Sequence, residues 1–157
     1  LEQLLELLHG RACPMVEIKR EAVDRSGAVE NAVLAAARST GVLADLCVIS
    51  MSWRALRRIR AAAPDVVTGF VLRRTGGLAA VERCQRLGVR FLIGPSRRWL
   101  RSPRLARRAR EAGLRLGAYV VNDRVTLEGL LPLGVESLAS DRPAELAGWL
   151  ATAVEAP

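Results

Sequence analysis

The segment Val16-Glu17-Ile18-Lys19 sets a carboxylate and an ammonium two residues apart in an otherwise apolar, β-branched run. In a strand alternate side chains share a face, so Glu17 and Lys19 point the same way. Val16 and Ile18 suit a helix-covered face, which sends both charges to the opposite, inward side. Opposite charges held there are costly unless they pair or meet a ligand. A carboxylate so placed can bind a hard cation such as Ca²⁺ or Mg²⁺ through oxygen. The ammonium can meet a phosphate oxygen or orient the carboxylate. A simple ion pair explains the same two residues equally well. Lys19 is the only Lys among 24 basic residues. A position that keeps the compact ammonium where Arg is used everywhere else points to a geometry the planar guanidinium cannot meet.

Other polar residues gather where apolar runs end: Ser50 and Ser52, Asn122 and Asp123, Ser140 and Asp141. Asp141 followed by Pro143 reads as a helix cap and first turn. The single His, His9, precedes Gly10 at the end of a helical stretch and reads as a C-terminal cap or surface residue. Cys13, Cys47 and Cys84 show no CxxC spacing and read as small buried thiols, favouring a reducing, cytoplasmic compartment.

These residues need elements to position them. Strands are expected at Met15–Lys19, Leu46–Ser50, Val66–Leu72, Val89–Ile93, Leu116–Val121 and Ser137–Ser140. Helices are expected at Leu1–Leu8, Val29–Thr40, Trp53–Ala62, Leu78–Leu87, Ser102–Ala112, Val125–Leu131 and Pro143–Ala153. The strands are nearly continuous apolar runs, as in parallel sheets covered by helices. Gly88, Gly113 and Gly134 each stand between a helix end and the next strand, where a left-handed cap suits glycine. The alternation describes βαβ units in one domain, residues 1–157. No GxGxxG follows any strand, and Gly76-Gly77 has no third Gly in register, which argues against a dinucleotide-binding sheet. Polar residues at the carboxyl ends of strands favour an α/β barrel instead. The expected fold is a partial TIM (β/α)8 barrel of six parallel βα units, its first two strands missing. The chain starts on Leu1 rather than Met, which fits an absent beginning; a signal segment there would move the protein out of the cytoplasm.

Composition narrows the classes. Of 157 residues half are apolar and a quarter charged, a globular balance. No apolar run approaches the roughly 20 residues of a transmembrane helix. The net charge of +8 is concentrated in RRWLRSPRLARRAR, from Arg97 to Arg110. Leu100, Leu105 and Ala109 form one stripe of it, with arginines around the rest, so a solvated outer helix face explains it. A surface for RNA, DNA or an anionic membrane is the alternative. Aromatic residues are not interleaved with the basic ones, so no stacking platform for nucleic acid is visible and none is expected as partner.

The order of motifs resembles the glycerophosphodiester phosphodiesterase family, over its C-terminal part. The resemblance rests on LEQLLELL, VEIK, Ile49-Ser50-Met51-Ser52 with Leu56 and Pro64 downstream, GLRLGAYVVND, and GVESLASDRPAEL. It runs from Leu1 to about Trp149. It implies a metal-dependent barrel enzyme that hydrolyses glycerophosphodiesters to glycerol 3-phosphate and an alcohol. Glu17 then matches a metal-binding Glu, with Ca²⁺ or Mg²⁺ as the implied ion, and Lys19 an active-site Lys. Ser50 and Met51 match a Ser-Phe pair at a strand end, with Met in place of Phe. Tyr119 to Asn122 match a Trp-Thr-Val-Asn stretch, the Trp-to-Tyr change keeping an aromatic wall and adding a hydroxyl. Ser140 to Pro143 match Thr-Asp-Arg-Pro.

The resemblance also shows what this sequence lacks. The family's His-Arg-Gly, Glu-Asn-Thr and Glu-x-Asp motifs, with its acid/base histidines and two further carboxylate ligands, do not occur. Glu30-Asn31 falls inside an Ala-rich helix and is not their equivalent. With one candidate carboxylate ligand and no general acid, the chain alone is expected to be inactive. Three functions stay open: the C-terminal portion of such a hydrolase, a non-catalytic relative binding a phosphate-bearing ligand or partner, and an Arg-rich surface binder.

Overall fold

Short runs rich in Val, Ile and Leu, each closed by a glycine or a capping residue, set the element boundaries. The computed structural model describes residues 1–72 and 76–154. Contacts divide the chain into two compact units, Leu1–Val71 with Leu87–Arg90, and Leu72–Arg86 with Phe91–Pro157.

The first unit contains α1 (Glu2–Leu8), β1 (Met15–Ile18), α2 (Ala28–Ser39), β2 (Cys47–Ser50), α3 (Trp53–Ala62) and β3 (Val67–Val71). β1 pairs with β2 and β2 with β3, both parallel, in chain order. Glu17 stands opposite Ile49, and Ile49 opposite Gly69. The core lies between this sheet and its helices: Ile18 and Val48 pack with Val33, Leu34 and Ala37 of α2 and Ala55 and Ile59 of α3. Val16 packs against the same cluster. Val16 and Ile18 therefore take the helix-covered side, and pleat alternation puts Glu17 on the other. Leu5 of α1 is buried in this core too.

The second unit contains α4 (Gly77–Leu87), β4 (Phe91–Pro95), α5 (Ser96–Arg101), α6 (Pro103–Glu111), β5 (Arg115–Tyr119), α7 (Arg124–Leu130), β6 (Val135–Leu138) and α8 (Pro143–Val154). β4, β5 and β6 again pair in parallel and in chain order. Trp99 is fully buried, and its Nε1 donates to the carbonyl of Gly117 at 2.8 Å. A Cβ on Gly94 would stand 3.3 Å from the Trp99 ring, so the small residue on β4 makes room for the indole.

Six parallel strands alternating with helices bear out the expected fold class. Gly88, Gly113 and Gly134 have φ of 64°, 77° and 71°, the left-handed cap expected between helix and strand. Two strands are shifted by two residues from expectation, β6 lying at Val135–Leu138 rather than Ser137–Ser140. β4 lies two residues later than Val89–Ile93, because Val89 is spent as a buried residue in the approach to the strand. The Arg-rich stretch holds one helix more than the expected Ser102–Ala112: α5 precedes α6, and Ser102, before Pro103, has φ −137° and ψ 63° and separates the two. Among the described residues no helix is long and apolar enough to cross a membrane.

Candidate functional site

β1 delivers Glu17 and Lys19 to one place. Lys19 follows the last residue of β1, its backbone extended at φ −65° and ψ 142°. Extension keeps the two-residue alternation going past the strand end, and Lys19 Nζ donates to Glu17 Oε2 at 2.5 Å. The pair is not buried as an inward strand implies: the Glu17 side chain is 29% exposed and that of Lys19 61%. Exposure keeps the cost of holding the two charges low. The register neighbours of Glu17, Ile49 and Gly69, bring no second carboxylate to it.

Ser50 ends β2 and is fully buried. Its Oγ donates to the carbonyl of Ile18 at 2.7 Å and accepts from the amide of Ser52 at 2.9 Å. The hydroxyl thus ties the end of β1 to the turn into α3, and both its hydrogen-bonding roles are used by the backbone. Met51 follows, half-buried, and Ser52 caps α3 by accepting from Ala55 N. Trp53, at the start of α3, stacks on Phe70 with centroids 3.6 Å apart and ring planes within 7°. The structure thus groups Glu17, Lys19, Ser50 and Met51 at the carboxyl ends of β1 and β2, with Glu17 and Lys19 in direct contact.

In the second unit Tyr119 ends β5 opposite Pro95 and is half-buried. Asn122 is the hub of a small network. Its Oδ1 accepts from Ser140 Oγ and from the amide of Asp141, each at 3.0 Å, while its Nδ2 donates to Asp141 Oδ2 at 2.8 Å. Ser140 Oγ in turn accepts from the amide of Arg142 at 2.9 Å. The Asp141 carboxylate, read from the sequence as a helix cap, accepts from Asn122, and Ser140 accepts from the amide of Arg142 just before α8. Asp123 does cap a helix, accepting from Thr126 N and Thr126 Oγ at 2.7 and 2.8 Å at the start of α7. Those bonds, the backbone one first, hold its carboxyl below the usual carboxylate range.

A buried ion pair escaped the sequence reading. Glu30 of α2 is 2% exposed, and Arg58 Nη1 of α3 donates to its Oε1 at 3.2 Å. The same guanidinium donates to the carbonyls of Asp24 at 2.8 Å and Arg25 at 2.5 Å, in the loop that follows Lys19. The available signal was periodicity: Glu30 occupies the stripe of Val33, Leu34 and Ala37, where an acid is out of place. Asn31, beside it, is exposed. His9 caps α1 with its backbone and is exposed, as expected. Cys47 and Cys84 are buried, whereas Cys13 is exposed, contrary to the expectation of burial. Burial pushes the Cys84 thiol up to about 12.

The parallel βα repeat and the polar strand ends place the molecule in the α/β-barrel class. The glycerophosphoryl diester phosphodiesterase family model matches residues 2–145, and the chain belongs to that family. Among the curated proteins none matches. A glycerophosphodiester phosphodiesterase from Parabacteroides distasonis superposes with a TM-score of 0.84 at 16% identity, over 98% of this chain and 64% of the other. One from Agrobacterium tumefaciens gives 0.70 at 22% identity, over 91% of this chain and 58% of the other. An Oleispira antarctica phosphodiesterase, solved with the product sn-glycerol-3-phosphate, gives 0.70 at 18% identity over 79% and 49%. The chain spans less than two thirds of the length of these structures.

A divalent cation is the group the family resemblance implies. Ca²⁺ takes six to eight oxygen ligands and Mg²⁺ an octahedral set. Among the described residues no three His, Cys, Asp or Glu side chains converge, and Glu17 stands as a single carboxylate with one oxygen on Lys19. These residues do not by themselves make a metal site.

Proposed function

We propose that this chain is the C-terminal portion of a metal-dependent glycerophosphodiester hydrolase, which releases glycerol 3-phosphate and an alcohol. The observation that carries the reading is the exposed Glu17–Lys19 pair at the carboxyl end of β1, in a chain of this family. Carboxyl ends of strands are where barrel enzymes assemble their sites. In this reading Glu17 gives one carboxylate to a divalent cation, and residues outside this chain complete the coordination. Lys19 orients that carboxylate and lies within reach of a phosphate oxygen of the substrate. The family resemblance implies substrate contacts for Ser50, Met51, Tyr119 and Asn122, Met51 offering an apolar and Tyr119 an aromatic surface. The substrate is a small glycerophosphodiester, and the product bound to the Oleispira antarctica phosphodiesterase is consistent with that class.

The chain by itself is inactive in this account. Its one imidazole, His9, stands exposed just past the end of α1. Incubating the chain with glycerophosphocholine and Mg²⁺ or Ca²⁺, and assaying glycerol 3-phosphate, tests this directly. No release is expected. Activity restored when the chain is fused behind the first two βα units of a family member supports the hydrolase portion. A correctly folded fusion that binds glycerol 3-phosphate without turnover would favour the second reading, a non-catalytic relative that binds a phosphate-bearing ligand.

A further inference from the structure

Seven arginines and no acid fall between Arg97 and Arg110. Removing those seven leaves 17 basic residues against the chain's 16 acidic ones, so this segment accounts for nearly all of the +8 net charge. The imbalance is therefore local, whatever the chain-wide preference for Arg. Elsewhere in the same unit three exposed arginines have their own acids: Arg115 pairs with Glu136 at 2.9 Å, Arg124 with Glu128 at 2.7 Å, Arg142 with Glu145 at 3.5 Å. On α6 Arg107 and Arg108 share the single Glu111, at 3.7 and 3.9 Å. Among the described residues Arg97, Arg101, Arg104 and Arg110 form no ion pair, and all four are exposed. A helix whose only task is solubility gains from alternating signs and loses by crowding one sign.

The helices hold this charge outward. Leu105, Ala106 and Ala109 of α6 and Trp99 of α5 are buried, while six of the seven arginines are exposed and Arg98 is half-buried. Apolar side chains accompany them: Leu100 is 38% exposed, and Leu78, 60% exposed, lines a cleft with Arg98 and Arg104.

We propose that the α5–α6 face is a docking surface for an anionic lipid bilayer. Guanidinium groups pair with lipid phosphates in a fork geometry, and exposed leucines among them can enter the boundary between headgroups and acyl chains. Nucleic acid fits less well, because the one aromatic residue of the segment, Trp99, is fully buried and offers no base-stacking surface. The surface stands apart from Glu17 and Lys19 in the chain, and the inference does not depend on the hydrolase reading.

The test is co-sedimentation of the chain with vesicles of phosphatidylcholine alone or with about 30 mol% phosphatidylglycerol added, in about 0.1 M and about 0.5 M salt. Binding to the anionic vesicles only, released by the higher salt, is expected. Arg101→Glu/Arg104→Glu/Arg108→Glu should weaken binding by about tenfold or more. Arg54→Glu/Arg57→Glu/Arg124→Glu, with the same change in net charge, should bind like wild type. Wild-type protein that ignores anionic vesicles, or binds phosphatidylcholine equally, overturns the proposal. So does an equal loss in both variants, or tighter binding to a short duplex DNA or RNA probe than to anionic vesicles. The lipid and salt dependence of the wild type decides the matter even where the first variant fails to fold, as circular dichroism would report.

Discussion

Arg58 of α3 reaches across to Glu30 of α2 and, with the same guanidinium, holds the carbonyls of Asp24 and Arg25. One ion pair, buried at its Glu30 end, thus packs two helices and pins the loop that leaves Lys19. Removing one member strands the other: Glu30 would keep a buried charge without its partner. Arg58→Ala should therefore destabilise the chain by about 3 kcal/mol. Arg57→Ala, one residue away and exposed, should change stability by less than about 0.5 kcal/mol. Urea denaturation of both variants checks the difference.

Thiol chemistry should separate the three cysteines. Cys13 is exposed, while Cys47 and Cys84 are buried. The Cys84 thiol, pushed up to about 12 by burial, carries almost no thiolate at neutral pH. Titration with a chromogenic disulfide should give one fast equivalent on native protein, assigned to Cys13 by its loss in Cys13→Ser. The other two should react only in denaturant.

Asp123 supplies a pH-dependent cap. Its bonds to Thr126 lower its folded pKa below the ordinary aspartate value of 3.8, so the stability it adds is present above that value. It is lost as pH falls through the folded pKa. Asp123→Ala should melt at a lower temperature than wild type at pH 7, and the gap should close at the acid end of the transition. A gap that persists unchanged in acid would mean that the carboxylate charge plays no part.

Much of this was legible in the sequence, for reasons visible in particular residues. Continuous apolar runs and the glycines at 88, 113 and 134 marked parallel strands and their helix caps, because burial on one side and a left-handed turn each restrict residue type. The pairing of Glu17 with Lys19 followed from period-two alternation alone. Its exposure did not, since the depth of a side chain depends on what surrounds the strand end. The roles of Asn122 and Asp141 were hidden for a related reason. Nineteen residues separate them, and a polar side chain after a strand can cap a helix or bridge two loops with no difference in local sequence. The short α5 was hidden because Ser96–Arg101 has only Trp99 and Leu100 as apolar residues, too few to show a helical period.

Lys19 offers a check on the chemistry that needs no change in charge. In a polypeptide joining this chain to the first two βα units of a family member, Lys19→Arg should lose most glycerophosphodiester hydrolysis while keeping the fold. The planar guanidinium cannot repeat the compact contact that Lys19 Nζ makes with Glu17. A wild-type rate would reduce the lone lysine to an accident of composition.

The central claim is that Glu17 contributes a metal-binding carboxylate to a phosphodiesterase site. It is tested most directly by comparing Glu17 with Glu17→Gln in that same fusion, measuring glycerol 3-phosphate release from glycerophosphocholine across a titration of Mg²⁺ or Ca²⁺. The account predicts a loss of roughly 100-fold or more, partly recovered at high metal concentration, with an unchanged circular dichroism spectrum. A variant that keeps the wild-type rate and the wild-type metal dependence would contradict it.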